Sequence, residues 1–424
     1  MSLIDHALYH GGFGCSKPLK VRVVSAGGAV VKYQNGNRIE AISDSHTLKQ
    51  FVIDTLGLDD LVRDGLLEIF PDALSAIDSK DATPESRGGQ GGVLEAVYER
   101  YNLTDGTIVL YGTDDAIPLA NHLHFAIPPR NPLDLVGSKN TFTKPNGTKP
   151  VIVVSSQAVP TYLEAGKFRP IPSSDGPLSM ALAIAYIAQG EGHREAGLVT
   201  DHTRLLIGPR TEKRQEVLPV FSALDSEALA ATFTGDRLSI DYVVEHPKTL
   251  DLSELESFQD GSPLFVHNAY TYAPNVLAIT HPSQMQFVTN WALTGLFSKH
   301  RGPEGQITEI YSHEHPRAIL YQMNGIRPNL EHERILLGLQ DKGHHVYLVP
   351  GTRIPPDARD PAQYPVADSL SKIPIVYTTL EAATAKACAA LALTVQAHHT
   401  DSTTLMSTRM TQLMTGAWGS EILR

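Results

Sequence analysis

Cysteine is almost missing from this chain. Its 424 residues include only Cys15 and Cys388, far apart and with no C-x-x-C pair. Neither a disulfide framework nor a thiolate zinc site can be built from those two alone. Long apolar runs are missing too, since no stretch approaches the roughly 18 residues needed to cross a bilayer. Met1 to Gly14 carries His6, His10 and several glycines where a secretory signal needs a basic end and an apolar run, so a cytoplasmic protein is expected. Positive charge is in deficit, with 35 Lys and Arg against 46 Asp and Glu and a formal net charge of -11. That balance argues against nucleic acid and anionic membranes as partners. There is no G-x-S-x-G elbow, which sets aside the usual α/β-hydrolase serine, and no internal repeat or low-complexity tract.

What is present is a series of short apolar runs, each ending in small polar residues. Val21, Val23 and Val24 predict a strand that runs into Ser25-Ala26-Gly27-Gly28-Ala29, where paired glycines permit positive φ and close backbone approach. As a dinucleotide fingerprint this stretch fails, because the third glycine is missing. The central stretch is Thr107 to Ile117. Ile108 to Tyr111 reads as a buried strand stopped by Gly112, with Thr113 and Asp114 at its C-terminal mouth, where open α/β sheets carry their chemistry. The plain alternative is a helix cap at Thr113 or Asp114.

Between these runs, Thr47 to Leu58 has helical spacing, begins near Asp44 and stops at Gly57. Leu66 to Phe70 and Leu74 to Ile77 read as strand and lead to Asp78-Ser79-Lys80-Asp81. Val93 to Tyr101 reads as an amphipathic helix, Pro128 to Pro150 as a long loop, and Val151 to Val154 as a strand. Leu178 to Gln189 is apolar all round and predicts a helix packed on every side, within the core or against a second subunit. Leu198 to Thr200 is a strand, Arg210 to Glu216 a charged loop carrying Lys213, and Phe233 to Tyr242 a hairpin turning at Gly235-Asp236. A second α/β unit has strands at Leu264 to Val266, Ala318 to Tyr321 and Val346 to Val349. Its helices fall at Met285 to Leu296, Leu330 to Gln340 and Thr379 to Val395. The expected division is an arm over 1–18, an α/β domain over 19–243, a linker over 244–260, a smaller α/β domain over 261–399 and a tail over 400–424.

Histidine pairs at His344-His345 and His398-His399, and the run His313-Glu314-His315, invite a metal reading. Adjacent side chains on a strand or helix face apart, so such pairs serve one ion poorly. No metal or other cofactor is expected. Cys388, inside an alanine-rich helix, reads as a buried structural thiol.

The polar strand ends, taken in order, resemble the motifs of the bacterial-type L-asparaginase family, which includes the D subunit of the archaeal glutamyl-tRNA amidotransferase. The matching words are Ala26-Gly27-Gly28-Ala29-Val30 for T-G-G-T-I-A and Asp78-Ser79-Lys80-Asp81 for D-S-x-D. Tyr111-Gly112-Thr113-Asp114-Asp115 stands for H-G-T-D-T, and Lys149-Pro150-Val151-Ile152 followed by Ser173-Ser174-Asp175-Gly176-Pro177 for K-P-V-V and S-A-D-G-P. The likeness runs over most of residues 20 to 395. It implies a two-domain α/β fold, a larger mostly parallel N-terminal sheet with a smaller C-terminal domain, assembled as a homodimer or homotetramer. It also implies hydrolysis of the side-chain amide of asparagine or a related small amide to acid and ammonia. Thr113, Asp114 and Lys213 then match a catalytic triad, while Ser79, Lys80, Asp81, Gly28 and Ala29 line the place of a small amino-acid-like ligand.

One departure bears on the chemistry. The first-motif threonine, the family's usual nucleophile, falls on Ala29, and a methyl group cannot attack an amide. Loss of a needed nucleophile costs roughly four to six orders of magnitude in rate. Either Thr113 attacks with Lys213 as its base, or Ser25 serves from the same loop, or the chain is an inactive homologue that binds a small ligand or partner. Lys80 also stands where the family has a neutral residue, which favours an anionic or blocked ligand over a free α-ammonium.

Overall fold

The computed structural model describes residues 17–74, 92–127, 149–189, 196–214, 220–224, 228–234, 237–240, 275–280, 284–285, 300–301, 307–308, 318–323, 330–341, 343–350, 373–397, 403–416 and 418. In chain order the first elements are β1 (Leu19–Ser25), β2 (Lys32–Asn35), β3 (Arg38–Ala41), α1 (Ser45–Leu56), α2 (Asp59–Arg63) and β4 (Leu67–Ala73). Next come α3 (Val93–Glu99), β5 (Gly106–Leu110), α4 (Ala116–Ala126), β6 (Val151–Val154), β7 (Thr161–Glu164), β8 (Lys167–Pro170) and α5 (Gly176–Gln189). Strands β9 (Ala196–Asp201), β10 (Arg204–Ile207), β11 (Thr211–Lys213), β12 (Phe221–Ala223), β13 (Leu229–Thr234) and β14 (Arg237–Ile240) follow.

Strands β5 and β6 are buried at every residue, the pattern of central parallel strands covered on both faces. They sit inside an eight-stranded sheet of order β14-β13-β10-β9-β6-β5-β1-β4. Pairing is parallel from β4 through β1, β5 and β6 to β9, and antiparallel from β9 to β14. Side-chain alternation sends Ile108, Leu110, Ile152 and Val154 to one face, against Phe51 of α1 and Leu182 and Ile184 of α5. Val109, Val151 and Val153 face the other way, against Val97 of α3 and Leu119 and Leu123 of α4. Helix α1 follows its sequence cues closely: Asp44 accepts from Thr47 N at 2.8 Å, and Gly57 ends the helix in the left-handed region at φ 64. The apolar helix α5 packs within this core of a single chain, which decides between the two sequence alternatives.

A second, smaller sheet pairs β15 (Val276–Ile279), β18 (Ala318–Met323) and β19 (His345–Pro350) in parallel, after the two-residue strands β16 (His300–Arg301) and β17 (Ile307–Thr308). Its helices are α6 (Leu330–Asp341), α7 (Leu380–Ala397) and α8 (Thr403–Thr415). Alanine-rich α7 packs against α4 of the first sheet, because small side chains let helices approach closely. Phe125 of α4 joins Leu391, Met410 and Trp418 in one core.

Three differences from the sequence reading stand out. Residues 403–415, expected as a tail, form a helix that buries Met410, Leu413 and Met414. Thr161 to Pro170, expected as loop, is the hairpin β7-β8, which with β2 and β3 forms a four-stranded sheet of order β3-β2-β7-β8. Lys213, expected in a charged loop, ends strand β11. In β7 and β8 the exposed positions carry mostly charged residues that mask the alternation, and β11 is only three residues long, too short to show any. The expected strands at Leu74 to Ile77 and Leu264 to Val266 and the helix at Met285 to Leu296 fall wholly or mostly outside the described residues, and the Pro128 to Pro150 loop is described only at Lys149 and Pro150.

Candidate active site

Four parallel strands end level with one another. Ser25 pairs with Ala73 on one side and Leu110 on the other, and Leu110 pairs with Val154. The loops after β4, β1, β5 and β6 therefore start on one rim. Backbone bonds carry the alignment one residue further: Leu74 N donates to Ser25 O at 2.9 Å, Ala26 N to Leu110 O at 3.1 Å and Tyr111 N to Val154 O at 2.9 Å. This is the carboxyl edge of an α/β sheet, the usual place for a ligand crevice.

The loop after β1 turns through Gly27 at φ 122 and Gly28 at φ 84. A Cβ added to Gly28 would lie 2.4 Å from both Cα and N of Gly112, so the two loops touch backbone to backbone. Ala29 then opens one turn of 3-10 helix, Ala29–Val31, with Val30 and Val31 buried beneath it. The Ala29 methyl is half-buried and offers no donor or acceptor.

After β5 the turn Gly112-Thr113-Asp114 leads into α4. The residue capping α4 is Asp115, and its side chain makes no capping bond. Instead Asp115 Oδ2 accepts from the buried hydroxyl of Tyr111 at 3.1 Å. These are two of the positions where the chain departs from the H-G-T-D-T pattern, and they bond to each other across the turn that holds Thr113 and Asp114. Thr113 is half-buried and Asp114 exposed.

Lys213 reaches this turn from a separate hairpin. Strand β11 pairs antiparallel with β12, setting Lys213 opposite Phe221. Lys213 Nζ donates to Asp114 Oδ1 at 2.6 Å, with side chains 22% and 46% exposed. A partly exposed pair of this kind contributes about 1 kcal/mol or less to stability. Its significance is placement: an amine and a carboxylate 99 residues apart in sequence meet at the turn that carries Thr113.

Thus Gly28, Ala29, Thr113, Asp114 and Lys213 gather on one rim, whereas Ser79, Lys80 and Asp81 lie outside the described residues. Sequence reasoning missed the rim after β6. Ser156 Oγ donates to Asp175 Oδ1 at 2.6 Å, and Gln157 N donates to the same oxygen at 3.2 Å. Asp175, at the start of α5, so holds the β6 loop in place. Gln157 Nε2 is buried and makes no hydrogen bond among the described residues. The signal was the polar triplet Ser155-Ser156-Gln157 directly after Val151 to Val154. Among the described residues no group of three or more His, Cys, Asp or Glu side chains is placed to hold a metal ion, and no helix is long and apolar enough to cross a membrane.

No protein-family model matches the sequence, and no curated protein matches it. Solved structures do match. The thermostable L-asparaginase from Thermococcus kodakarensis aligns at a TM-score of 0.60 and 17% identity, covering 92% of this chain and 97% of that one. L-asparaginase I from Vibrio cholerae O1 biovar eltor gives 0.59 and 17%, covering 93% and 97%. The probable cytoplasmic L-asparaginase from Campylobacter jejuni gives 0.55 and 15%, covering 92% and 99%. Over nearly its whole length, then, this chain has the two-domain α/β fold of the L-asparaginases.

Proposed function

We propose that the protein is an asparaginase-like amidohydrolase that cleaves the side-chain amide of asparagine or a related small amide. The observation that carries this reading is the 2.6 Å contact between Lys213 Nζ and Asp114 Oδ1 beside Thr113. A threonine hydroxyl attacks an amide carbon only when a base takes its proton, and an amine oriented by a carboxylate is such a base. In this reading Thr113 Oγ1 attacks, Lys213 accepts its proton and later delivers one to the departing ammonia, and water releases the acid from the ester. Ser79, Lys80, Asp81, Gly28 and Ala29 are assigned to the ligand, Lys80 selecting an anionic or blocked one. No cofactor is assigned. A homodimer or homotetramer is assigned from the family resemblance of the sequence motifs, and the likeness to the probable cytoplasmic L-asparaginase from Campylobacter jejuni supports a cytoplasmic location.

Ala29 favours a second reading, a small-ligand-binding or interaction protein on the same fold, because the half-buried methyl stands where the family carries its nucleophile. The deciding experiment measures ammonia release from asparagine, glutamine and blocked derivatives by the parent, Thr113→Ala and Ala29→Thr proteins. Parent activity abolished in Thr113→Ala supports the hydrolase with Thr113 as nucleophile. A silent parent rescued by Ala29→Thr marks a hydrolase site lacking its hydroxyl, and silence from all three leaves the binding reading.

A further inference from the structure

We infer that Asp201 and Arg204 are positioning residues that hold the Lys213 hairpin against the β5 mouth. The inference rests on the proposed function for its consequence in catalysis, and on geometry alone for the brace itself. Strands β11 and β12 share three residue pairs, and a two-stranded ribbon of that length is not stable by itself in water. Something must fix it to the large sheet.

Asp201 ends β9 and Arg204 begins β10, and the two pair across the His202-Thr203 turn. His202 adopts φ 56 there, a left-handed conformation uncommon outside glycine. The Asp201 side chain is 1% exposed, and a carboxylate so buried requires strong donors. It finds one in the Arg204 guanidinium and another outside the sheet, where Val220 N donates to Asp201 Oδ1 at 3.0 Å. Arg204 Nη2 in turn donates to Phe221 O at 2.9 Å. Val220 and Phe221 are the backbone opposite Arg214 and Lys213: Arg214 N donates to Val220 O at 3.0 Å, and Phe221 is the register partner of Lys213.

The charge pair thus grips the return strand at the residue facing Lys213. Two further bonds secure the base of the hairpin, Thr211 Oγ1 to Ile207 O at 2.8 Å and Leu224 N to Arg210 O at 2.9 Å. Neither reaches the end that carries the lysine. Without the brace, Lys213 Nζ loses the backbone support that keeps it 2.6 Å from Asp114.

The test reads Lys213 directly. The full-length parent, Arg204→Gln, Arg204→Lys and Asp201→Asn proteins are acetylated under limiting reagent, and each lysine is followed by mass spectrometry. Local release of the hairpin raises the Lys213 labelling rate roughly threefold or more in Arg204→Gln, while Lys32 and Lys167 on the four-stranded sheet keep their parent rates. Arg204→Lys keeps the charge, loses the planar fork that reaches Asp201 and Phe221 together, and gives an intermediate rate; it also answers the question should Arg204→Gln not fold. Folded variants with parent-like Lys213 labelling overturn the brace. Where the parent releases ammonia, kcat in Arg204→Gln falls about tenfold with KM within about threefold, as for a misplaced catalytic group. A silent parent with accelerated Lys213 labelling keeps the brace and counts against the amidohydrolase reading alone.

Discussion

Gly28 and Gly112 meet backbone to backbone at the floor of the candidate site, where a Cβ on Gly28 would lie 2.4 Å from the Gly112 Cα. Gly28 also holds φ 84, so a side chain there is strained twice over, once by its own conformation and once by the collision. Gly28→Ala is expected to destabilise the first domain by about 2 kcal/mol or more. It should also part the Ala29 turn from Thr113. Urea unfolding followed by circular dichroism checks it; a loss under about 0.5 kcal/mol would show that the two loops separate easily.

The Lys213–Asp114 contact predicts a split between stability and chemistry. Its exposure caps the stability cost of Lys213→Met or Asp114→Asn at about 1 kcal/mol. If Lys213 serves as the base for Thr113, as proposed, its removal lowers kcat roughly 10²- to 10⁴-fold. Thermal melts within a few degrees of the parent, together with collapsed ammonia release, are the expected pair of results. Parallel loss of both would assign the contact to folding instead.

How much of this was legible beforehand differs by element. Strand β6 and helix α1 could be read directly, one from an unbroken Val-Ile-Val-Val run and the other from Asp44 and Gly57 at its ends. Thr113 and Asp114 were visible because a strand, a glycine and polar residues follow in order. The hairpin that delivers Lys213 was not, since its two strands are three residues each and the bonds that tie it to the large sheet come from Asp201 and Arg204. The Tyr111–Asp115 bond was equally hidden: sequence marks both as departures from a pattern but does not show that they touch. Helix α8 escaped notice because Thr and Ser separate its Met and Leu positions, and its partner is α7 rather than its own neighbours in sequence.

Lys386 supplies the third prediction. It is a lysine 1% exposed in the middle of α7, donating to Gly416 O beyond α8 and lying 5.8 Å from the Phe125 ring centre on α4. One ammonium so ties together three helices from the two sheets. Lys386→Ala leaves a carbonyl unpaired and an aromatic face uncovered, an expected loss of roughly 2–4 kcal/mol. Lys386→Met keeps the apolar stem and loses about half of that. Trp418, whose ring meets Phe125 edge-on at 5.7 Å, reports the change. Its emission should shift to the red in Lys386→Ala at denaturant concentrations where the parent spectrum is unmoved.

His345 sets a pH dependence of stability that belongs to the smaller sheet. It begins β19, is buried, and its Nε2 makes no hydrogen bond among the described residues. Burial first, and the neighbouring charge of His344 second, push its pKa down from 6.5 to about 4. The folded chain therefore keeps this ring neutral over a range in which the unfolded chain protonates it. Between pH 6.5 and about 4 the unfolded state binds the extra proton, so stability rises with pH across that window and is lost as pH falls through it. The full loss, reached below the folded value, is roughly 3 kcal/mol at about 1.4 kcal/mol per pH unit. His345→Leu removes this term while other titrations remain. Unfolding in urea at pH 7 and at pH 4.5 should then show a smaller acid penalty in the variant, by roughly 2–3 kcal/mol. Equal penalties in the two proteins would mean that the ring finds a proton-accepting partner in the folded state.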